Sequence, residues 1–285
     1  MLAYIFPGQG SQSKGMGKDL FDTVPLFRML EGRLDQIVGF SIRETCLNGE
    51  PEKLQQTNIT QPCLFLVSAL HWEREKAANK IPKLLAGHSL GEYNALFAAN
   101  AFDLETGLYL VRERGRLMAK ATNGGMAAVL GLDRDKLENV LSKAKHKDID
   151  VANFNTPQQI VISGPKDKVL AVEADITSAG AKMFIPLKVG AAFHSRYMSG
   201  AADEFATVLN DVHLRSPNIT VYSNVTAKPY PEDAKSADIA DLLHRQIVSP
   251  VLWETCITNL RQAGASEFKE IGPGEVLTGM NAQIA

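Results

Sequence analysis

Leu84-Leu85-Ala86-Gly87-His88-Ser89-Leu90-Gly91-Glu92 places a Gly-x-Ser-x-Gly pentapeptide directly after a short apolar run. A stretch with helical character, residues 93–99, follows it. A strand, a tight turn and a helix in this order form the elbow that exposes a nucleophilic serine. The amide N–H of Leu90 is left free at the start of the helix, where the helix dipole favours negative charge. The segment therefore predicts Ser89 as an acyl-transfer nucleophile, against the alternative of a structural turn.

The bulk composition excludes several classes of protein. The chain has 285 residues, of which 45% are hydrophobic and 22% charged, and its formal net charge is -2. Without a basic run, nothing favours nucleic-acid binding. No apolar run has membrane-spanning length, and no leader sequence is recognisable at the start. The three cysteines are too few and too scattered for a disulfide framework or a zinc site, which indicates a reducing compartment. We expect a cytoplasmic enzyme that contacts neither nucleic acid nor membrane.

The pattern of apolar residues divides the chain into two folding regions. Outside residues 125–189, the sequence predicts strands at residues 2–6, 83–86, 219–223 and 267–271, and helices at residues 63–76, 103–119, 200–209 and 236–247. Within residues 125–189, it predicts strands at residues 126–132, 149–154, 159–163 and 182–187, and helices at residues 133–144 and 166–178. The second region has the β-α-β-β-α-β order of a ferredoxin-like domain. We therefore predict a large α/β domain, residues 1–124 and 190–285, with an inserted ferredoxin-like domain, residues 125–189.

A serine nucleophile needs a base, and His194 is the best placed of the six histidines. It follows a small-residue stretch that leads out of the inserted region, so it lies at the predicted domain junction, beside a cleft. His88 belongs to the elbow itself, where its side chain is expected to pack under the turn. The remaining four histidines lie in predicted helices or polar loops, where a solvated or capping role is the default. No acidic residue stands out as a third partner, so a backbone carbonyl would orient the imidazole of a Ser-His dyad.

Two further features bear on the substrate. Arg114 lies on an apolar face of the helix that begins near Asp103, so its guanidinium must find an anion or reach solvent. One possibility is a structural ion pair; the other is a bidentate clamp for a substrate carboxylate. The turn Gly8-Gln9-Gly10-Ser11-Gln12 lacks the third glycine of a dinucleotide fingerprint. It either ends a strand or brings a backbone N–H to an oxyanion site.

Together these motifs resemble the malonyl-CoA:acyl carrier protein transacylases, and most of all the freestanding acyltransferases that serve polyketide synthases. The resemblance covers essentially the whole chain, in the order of the family. The matching segments are Phe6-Pro7-Gly8-Gln9-Gly10-Ser11-Gln12, Gly87-His88-Ser89-Leu90-Gly91-Glu92-Tyr93, Arg114-Gly115, Ala192-Phe193-His194-Ser195, Gln246, Pro250-Val251-x-Trp253 and Ile271-Gly272-Pro273-Gly274. The sequence departs from the family in two places: Gly190-Ala191-Ala192 stands where relatives often have Ser-Gly-Ala, and Asn100 stands where glycine is usual.

The resemblance implies a role for each matching residue. It implies a hydrolase-like α/β domain with a ferredoxin-like insertion, in which Ser89 is the nucleophile and His194 its base. The backbone N–H groups of Gln9 and Leu90 would form the oxyanion hole. The remaining implied roles are the carboxylate clamp at Arg114, the wall of the acyl site at Phe193, and the carbonyl that orients the base at Gln246.

The reaction that follows from these roles is a ping-pong transfer of a malonyl group. The acyl group moves from coenzyme A to the serine, and then to the phosphopantetheine thiol of an acyl carrier protein. We expect a monomer whose partners are malonyl-CoA and the carrier protein, and no metal or other cofactor. One alternative is an acyl hydrolase of the same fold that clears acyl groups from carrier proteins. The other is a catalytically silent docking subunit of a synthase.

Overall fold

A computed structural model describes residues 1–284 and contains two four-stranded sheets. Strands β1 to β8 are Leu2–Phe6, Leu84–Gly87, Gly124–Leu130, Asp150–Thr156, Gln159–Pro165, Met183–Pro186, Thr220–Tyr222 and Glu267–Glu270. Helices α1 to α13 are Pro25–Val38, Ile42–Asn48, Pro51–Leu54, Thr57–Ala77, Gly91–Ala98, Leu104–Met118, Arg134–Leu141, Lys166–Ala171, Glu173–Ser178, Ser199–Asn210, Ser236–Val248, Trp253–Gln262 and Val276–Asn281. Within residues 1–284, no helix is both long enough and apolar enough to cross a membrane.

The first sheet has the order β7-β2-β1-β8, and its three strand pairings are all parallel. Strand β1 is buried on both faces, as is typical of parallel sheets covered by helices. Tyr4 and Phe6 pack into the larger core with α4 and α5, whereas Ala3 and Ile5 pack on the opposite face with α12. Because β1 and β2 run in the same direction, their carboxyl ends open at one edge of the sheet. Ligand sites of parallel α/β sheets usually lie at this edge.

The second sheet has the order β4-β5-β3-β6, and every neighbouring pair is antiparallel. This arrangement agrees with the β-α-β-β-α-β pattern of the sequence. Helices α7, α8 and α9 supply apolar side chains to one face, and together with the strands they form a separate core cluster. The other face contributes Met126, Ala128 and Val161 to the core of the large region. We propose that residues 125–189 form the small domain and that residues 1–124 and 190–285 form the large one.

The start of α4 differs from the prediction. The sequence predicts helical and loop segments up to about Gln61 and a separate helix from Cys63, whereas α4 begins at Thr57 and includes Pro62. Packing against α6 explains the earlier start, because Gly115 allows the two helices to approach closely. A Cβ at Gly115 would lie 3.0 Å from the carbonyl oxygen of Thr57. The earlier start of α4 matters for function, since it places Gln61 on a helix beside α6.

The predicted helix at residues 166–178 is also divided. The structure has two short helices, α8 and α9, separated at Val172, which keeps a right-handed helical backbone. The predicted helix at residues 133–144 ends earlier, at Leu141, although Asp133 caps its start by accepting a hydrogen bond from the backbone N–H of Lys136. Both differences lie in the small region.

Candidate active site

The elbow between β2 and α5 has no room for side chains at its two glycines. A Cβ at Gly87 would overlap the backbone of Gly91, and a Cβ at Gly91 would overlap the carbonyl oxygen of Phe6. Ser89, at the tip, has a φ of 52°, in the left-handed region that non-glycine residues rarely occupy. Such a backbone costs about 1–3 kcal/mol and persists only where surrounding contacts hold it. Here the backbone N–H of Ser89 donates to Oδ1 of Asn224 at 2.7 Å.

Ser89 and His194 lie within hydrogen-bonding distance although they are 105 residues apart in sequence. The serine Oγ is 2.8 Å from Nε2 of His194. The other ring nitrogen, Nδ1, is 2.9 Å from the backbone carbonyl oxygen of Gln246. Since a carbonyl oxygen only accepts, Nδ1 carries the proton and Nε2 presents its lone pair to the serine hydroxyl. This is the tautomer that a general base requires.

The surroundings keep His194 neutral. Its side chain is buried, and burial together with the positive charge of Arg114 lowers the pKa of His194 to about 3. Both causes act against the imidazolium form. The ring is therefore neutral across the physiological pH range, which is the form that a general base needs.

Arg114 lies at the bottom of the same site and has no carboxylate partner. It is 1% exposed, and no Asp or Glu side chain among residues 1–284 forms an ion pair with it. Its Nη1 donates to Oε1 of Gln61 at 2.9 Å, and its Nη2 donates to Oε1 of Gln246 at 3.0 Å and to Oγ of Ser89 at 3.2 Å. The ring of Tyr93 lies 5.5 Å from the guanidinium carbon. The structural ion pair considered from the sequence is thus absent, and the guanidinium remains free to bind an anion.

The two predicted oxyanion donors both line the cavity that contains Ser89. Within residues 1–284, neither the N–H of Gln9 nor that of Leu90 donates a hydrogen bond to a protein acceptor. The loop that carries Gln9 is held against the elbow, because the N–H of His88 donates to the carbonyl oxygen of Phe6 at 2.9 Å. His88 itself points away from the serine; its Nε2 lies 2.8 Å from Oδ1 of Asn155.

The cavity at the dyad has a volume of about 120 Å³. Its lining combines the dyad, Arg114 and the two candidate oxyanion residues with apolar side chains, among them Phe193, Met118 and Met126. A neighbouring, more open cavity of about 480 Å³ shares Gln9 with it. The smaller cavity can hold a short acyl group, and the larger can hold the chain attached to it. Within residues 1–284, no cluster of three or more potential metal ligands is present.

Two further residues, to which the sequence patterns assign no role, hold this site together. Asn224, in the loop after β7, accepts from Ser89 N–H and donates through Nδ2 to the carbonyl oxygen of Gly87 at 2.7 Å. Glu92 is fully buried and accepts from Oη of Tyr230 at 2.6 Å and from Nε2 of Gln246 at 2.5 Å. Burial raises the pKa of the Glu92 carboxyl. A polar residue just after a buried parallel strand, next to the elbow, was the available signal for Asn224.

Comparison with known proteins identifies the family. Residues 3–283 match the acyl transferase domain family, and the chain belongs to that family. It is 47% identical to a polyketide biosynthesis malonyl CoA-acyl carrier protein transacylase, PksC, from Bacillus subtilis, over all of this chain and 97% of that protein. The crystal structure of a malonyl CoA-acyl carrier protein transacylase from Burkholderia pseudomallei superposes with a TM-score of 0.92 at 40% identity, covering 100% of this chain and 97% of that one.

A third relative was solved together with its partner. The structure, described as a type II PKS acyl-carrier protein in complex with its malonyl-transacylase, has a TM-score of 0.94 at 34% identity. The match covers 100% of this chain and 93% of that chain. These structural similarities confirm the predicted α/β fold class.

Proposed function

We propose that this chain transfers a malonyl group from coenzyme A to the phosphopantetheine thiol of an acyl carrier protein. The observation that carries the proposal is the position of Arg114. A buried guanidinium without an acidic partner lies 3.2 Å from Oγ of the nucleophile, which is itself 2.8 Å from a neutral imidazole. A carboxylate on the acyl group would satisfy the guanidinium in the bound complex. The names of the relatives support the same reaction.

In the first half-reaction, Ser89 attacks the malonyl thioester. The proton of its hydroxyl passes to Nε2 of His194 as Oγ forms a bond to the thioester carbon. The N–H groups of Gln9 and Leu90 are proposed to stabilise the oxyanion of the tetrahedral intermediate. When the intermediate collapses, the carbon–sulfur bond breaks and the imidazolium returns the proton to the departing thiolate of coenzyme A. Malonyl-Ser89 remains.

The second half-reaction reverses these steps with a different thiol. Nε2 of His194 takes the proton of the phosphopantetheine thiol, and the thiolate attacks the ester carbonyl of malonyl-Ser89. The new tetrahedral intermediate expels the serine oxygen, which recovers its proton from the imidazolium. The transfer involves no net oxidation or reduction, and the proposed proton transfers and oxyanion contacts are all made by the protein, so we propose that the reaction needs neither a redox cofactor nor a metal.

Selection of the acyl group would depend on Arg114 and Phe193. The guanidinium can form two charge-assisted hydrogen bonds with a malonyl carboxylate, whereas an acetyl group would leave it unsatisfied. The Phe193 ring lines the same cavity directly before the base, so we propose that it limits the space at the acyl α-carbon. A hydrolase that clears acyl chains does not require a carboxylate clamp, and a silent docking subunit does not require a Ser-His dyad. The presence of both groups therefore favours the transferase.

The proposal extends to the setting of the enzyme. We propose that it acts as a monomer in the cytoplasm, with malonyl-CoA and the carrier protein as its partners and without contact with nucleic acid or membrane. The net charge of -2 and the three free, buried cysteines support this setting. Light scattering of the purified chain, alone and with carrier protein, tests whether the enzyme is a monomer.

The decisive experiment combines a panel of acyl-CoAs with an Arg114 variant. Wild-type protein is incubated with malonyl-, methylmalonyl- or acetyl-CoA, with and without holo carrier protein, and the products are followed by intact mass. We expect malonyl transfer to the carrier protein and little release of free malonate. Arg114→Ala should lower kcat/KM for malonyl-CoA by at least about a hundredfold, while acetyl transfer holds or improves. An equal loss for both substrates would contradict the clamp.

A further inference from the structure

The side chain of Gln246 connects the nucleophile to the clamp. Its backbone carbonyl accepts from His194, but its side-chain amide makes three further hydrogen bonds. Oε1 accepts from Nη2 of Arg114 at 3.0 Å, and Nε2 donates to the backbone carbonyl of Ser89 at 3.0 Å and to Oε2 of Glu92 at 2.5 Å. Gln246 is fully buried, so water does not supply alternative partners.

The orientation of this amide is forced by its surroundings. The carbonyl oxygen of Ser89 can only accept a hydrogen bond, and the guanidinium of Arg114 can only donate one. Rotation of the amide by 180° would place Oε1 against the carbonyl oxygen of Ser89 and would place Nε2 against the N–H groups of Arg114. Both contacts would be repulsive. The amide therefore always presents its oxygen to the guanidinium.

Because the side chain of Gln246 is uncharged, it can accept a hydrogen bond from Arg114 without neutralising the guanidinium, which a carboxylate could not do. Gln61 and Gln246 each present a carbonyl-type oxygen to one terminal nitrogen of Arg114, so the guanidinium is held in position without being neutralised. A glutamate in either place would form an internal ion pair and compete with the carboxylate of the acyl group. On the basis of the proposed function, we propose that the side-chain amide of Gln246 is a positioning residue that keeps Arg114 aligned, charged and available to the malonyl carboxylate.

The sharpest test is the isosteric change Gln246→Glu, which preserves the size of the side chain and the backbone carbonyl bound to His194. The added carboxylate should occupy Arg114. We expect the ratio of kcat/KM for malonyl-CoA to kcat/KM for acetyl-CoA to fall on the order of a hundredfold, with acetyl transfer holding or improving. The matched control is Gln36→Glu, which adds the same charge at an exposed position of α1. Its ratio should stay within about twofold of wild type, since Gln36 lines neither cavity.

A second variant covers the case in which Gln246→Glu folds poorly beside Glu92. Gln246→Met has a similar length but neither accepts from Arg114 nor donates to Ser89. We expect the malonyl-to-acetyl ratio to fall on the order of tenfold. Labelling of Ser89 by phenylmethylsulfonyl fluoride, an uncharged reagent, should stay within about threefold of wild type, because the dyad itself remains. This readout separates a role in positioning Arg114 from a general structural role.

The outcomes distinguish this inference from the proposed function. If wild type shows no malonyl preference, or if Arg114→Ala leaves the preference unchanged, the proposed function fails. If wild type prefers malonyl-CoA and Arg114→Ala removes that preference, but the two Gln246 variants keep the wild-type ratio, the positioning role is overturned. An equal loss of both substrates and of sulfonyl fluoride labelling would also overturn it, because the side chain would then be supporting the elbow as a whole.

Discussion

At the scale of single residues, the proposed roles of Ser89 and His194 depend on two contacts. Ser89 Oγ lies 2.8 Å from His194 Nε2, and the buried carbonyl of Gln246 accepts from Nδ1. Ser89→Ala should abolish the malonyl adduct seen by intact mass, because the oxygen that would carry it is removed. His194→Ala should slow acylation by at least about a hundredfold, as is usual for the loss of a general base. A malonyl adduct on the alanine variant at position 89, or near-normal acylation without His194, would refute the dyad.

The lowered pKa of His194 predicts the pH dependence of the proposed reaction. A base must be neutral to act, and burial and Arg114 lower this pKa to about 3. The acid limb of kcat/KM for acetyl-CoA should therefore lie well below pH 6.5, the unperturbed value for histidine. Because Arg114 contributes to the lowering, Arg114→Gln should move this acid limb to higher pH. Stopped-flow acylation between pH 4 and 8 gives the comparison, and a limb near pH 6.5 in both proteins would contradict it.

The residues that could not be predicted from the sequence make contacts between segments that are far apart along the chain. Ser89 and Arg114 have local signals, a pentapeptide and an apolar helix face. Asn224 and Glu92 meet although they are 132 residues apart, and no local pattern records that contact. The same holds for Gln61, which could be linked to Arg114 only once the packing of α4 on α6 was known. Sequence patterns therefore predict the candidate reacting groups, and the structure adds the residues that contact them.

At the scale of elements, local signals were sufficient where a short segment fixes its own conformation. The elbow is such a case, since β2, the turn and α5 are contiguous and the two glycines are required by contacts within it and with β1. Helix α6 is another, because Asp103 caps it by accepting from the N–H of Thr106 at 2.8 Å. The start of α4 could not be predicted, because it depends on the close approach of Gly115 from a distant helix.

The elbow can be tested by adding a single methyl group. Gly91→Ala places a Cβ against the carbonyl oxygens of Phe6 and Pro7, and neither backbone group can move without disturbing β1. We expect it to destabilise the fold by at least about 2 kcal/mol and to abolish acylation. The control is Gly32→Ala, at an exposed position inside α1 with open space around it, which should stabilise by about 0.5–1 kcal/mol. Urea denaturation measures both stabilities. A Gly91→Ala protein with wild-type stability and acylation would show that the turn can accommodate a Cβ at position 91.

At the scale of the whole molecule, the two regions are joined by both backbone and side-chain contacts. Val251 extends the edge of the small sheet, because its N–H donates to the carbonyl oxygen of Ala152 and its own carbonyl accepts from Phe154 N–H, both at 2.9 Å. Ala152 and Val161 of the small region belong to the same buried cluster as the helices of the large region. The proposed active site lies where these regions meet, because Met126 and Asn153 of the small region line the same cavity as Ser89 and His194 of the large one.

These shared contacts predict that the two regions unfold together. Ile162 is fully buried in the separate core cluster of the small region, so Ile162→Ala should cost about 2–5 kcal/mol. Both tryptophans, Trp72 and Trp253, lie outside residues 125–189, so their fluorescence reports mainly on the large region. If the regions are coupled, the variant shifts the urea transition equally by tryptophan fluorescence and by far-ultraviolet circular dichroism. Independent regions would instead give an early transition in circular dichroism and an unchanged fluorescence midpoint. In that case, the contacts made by Val251 would be too weak to hold the catalytic cleft together.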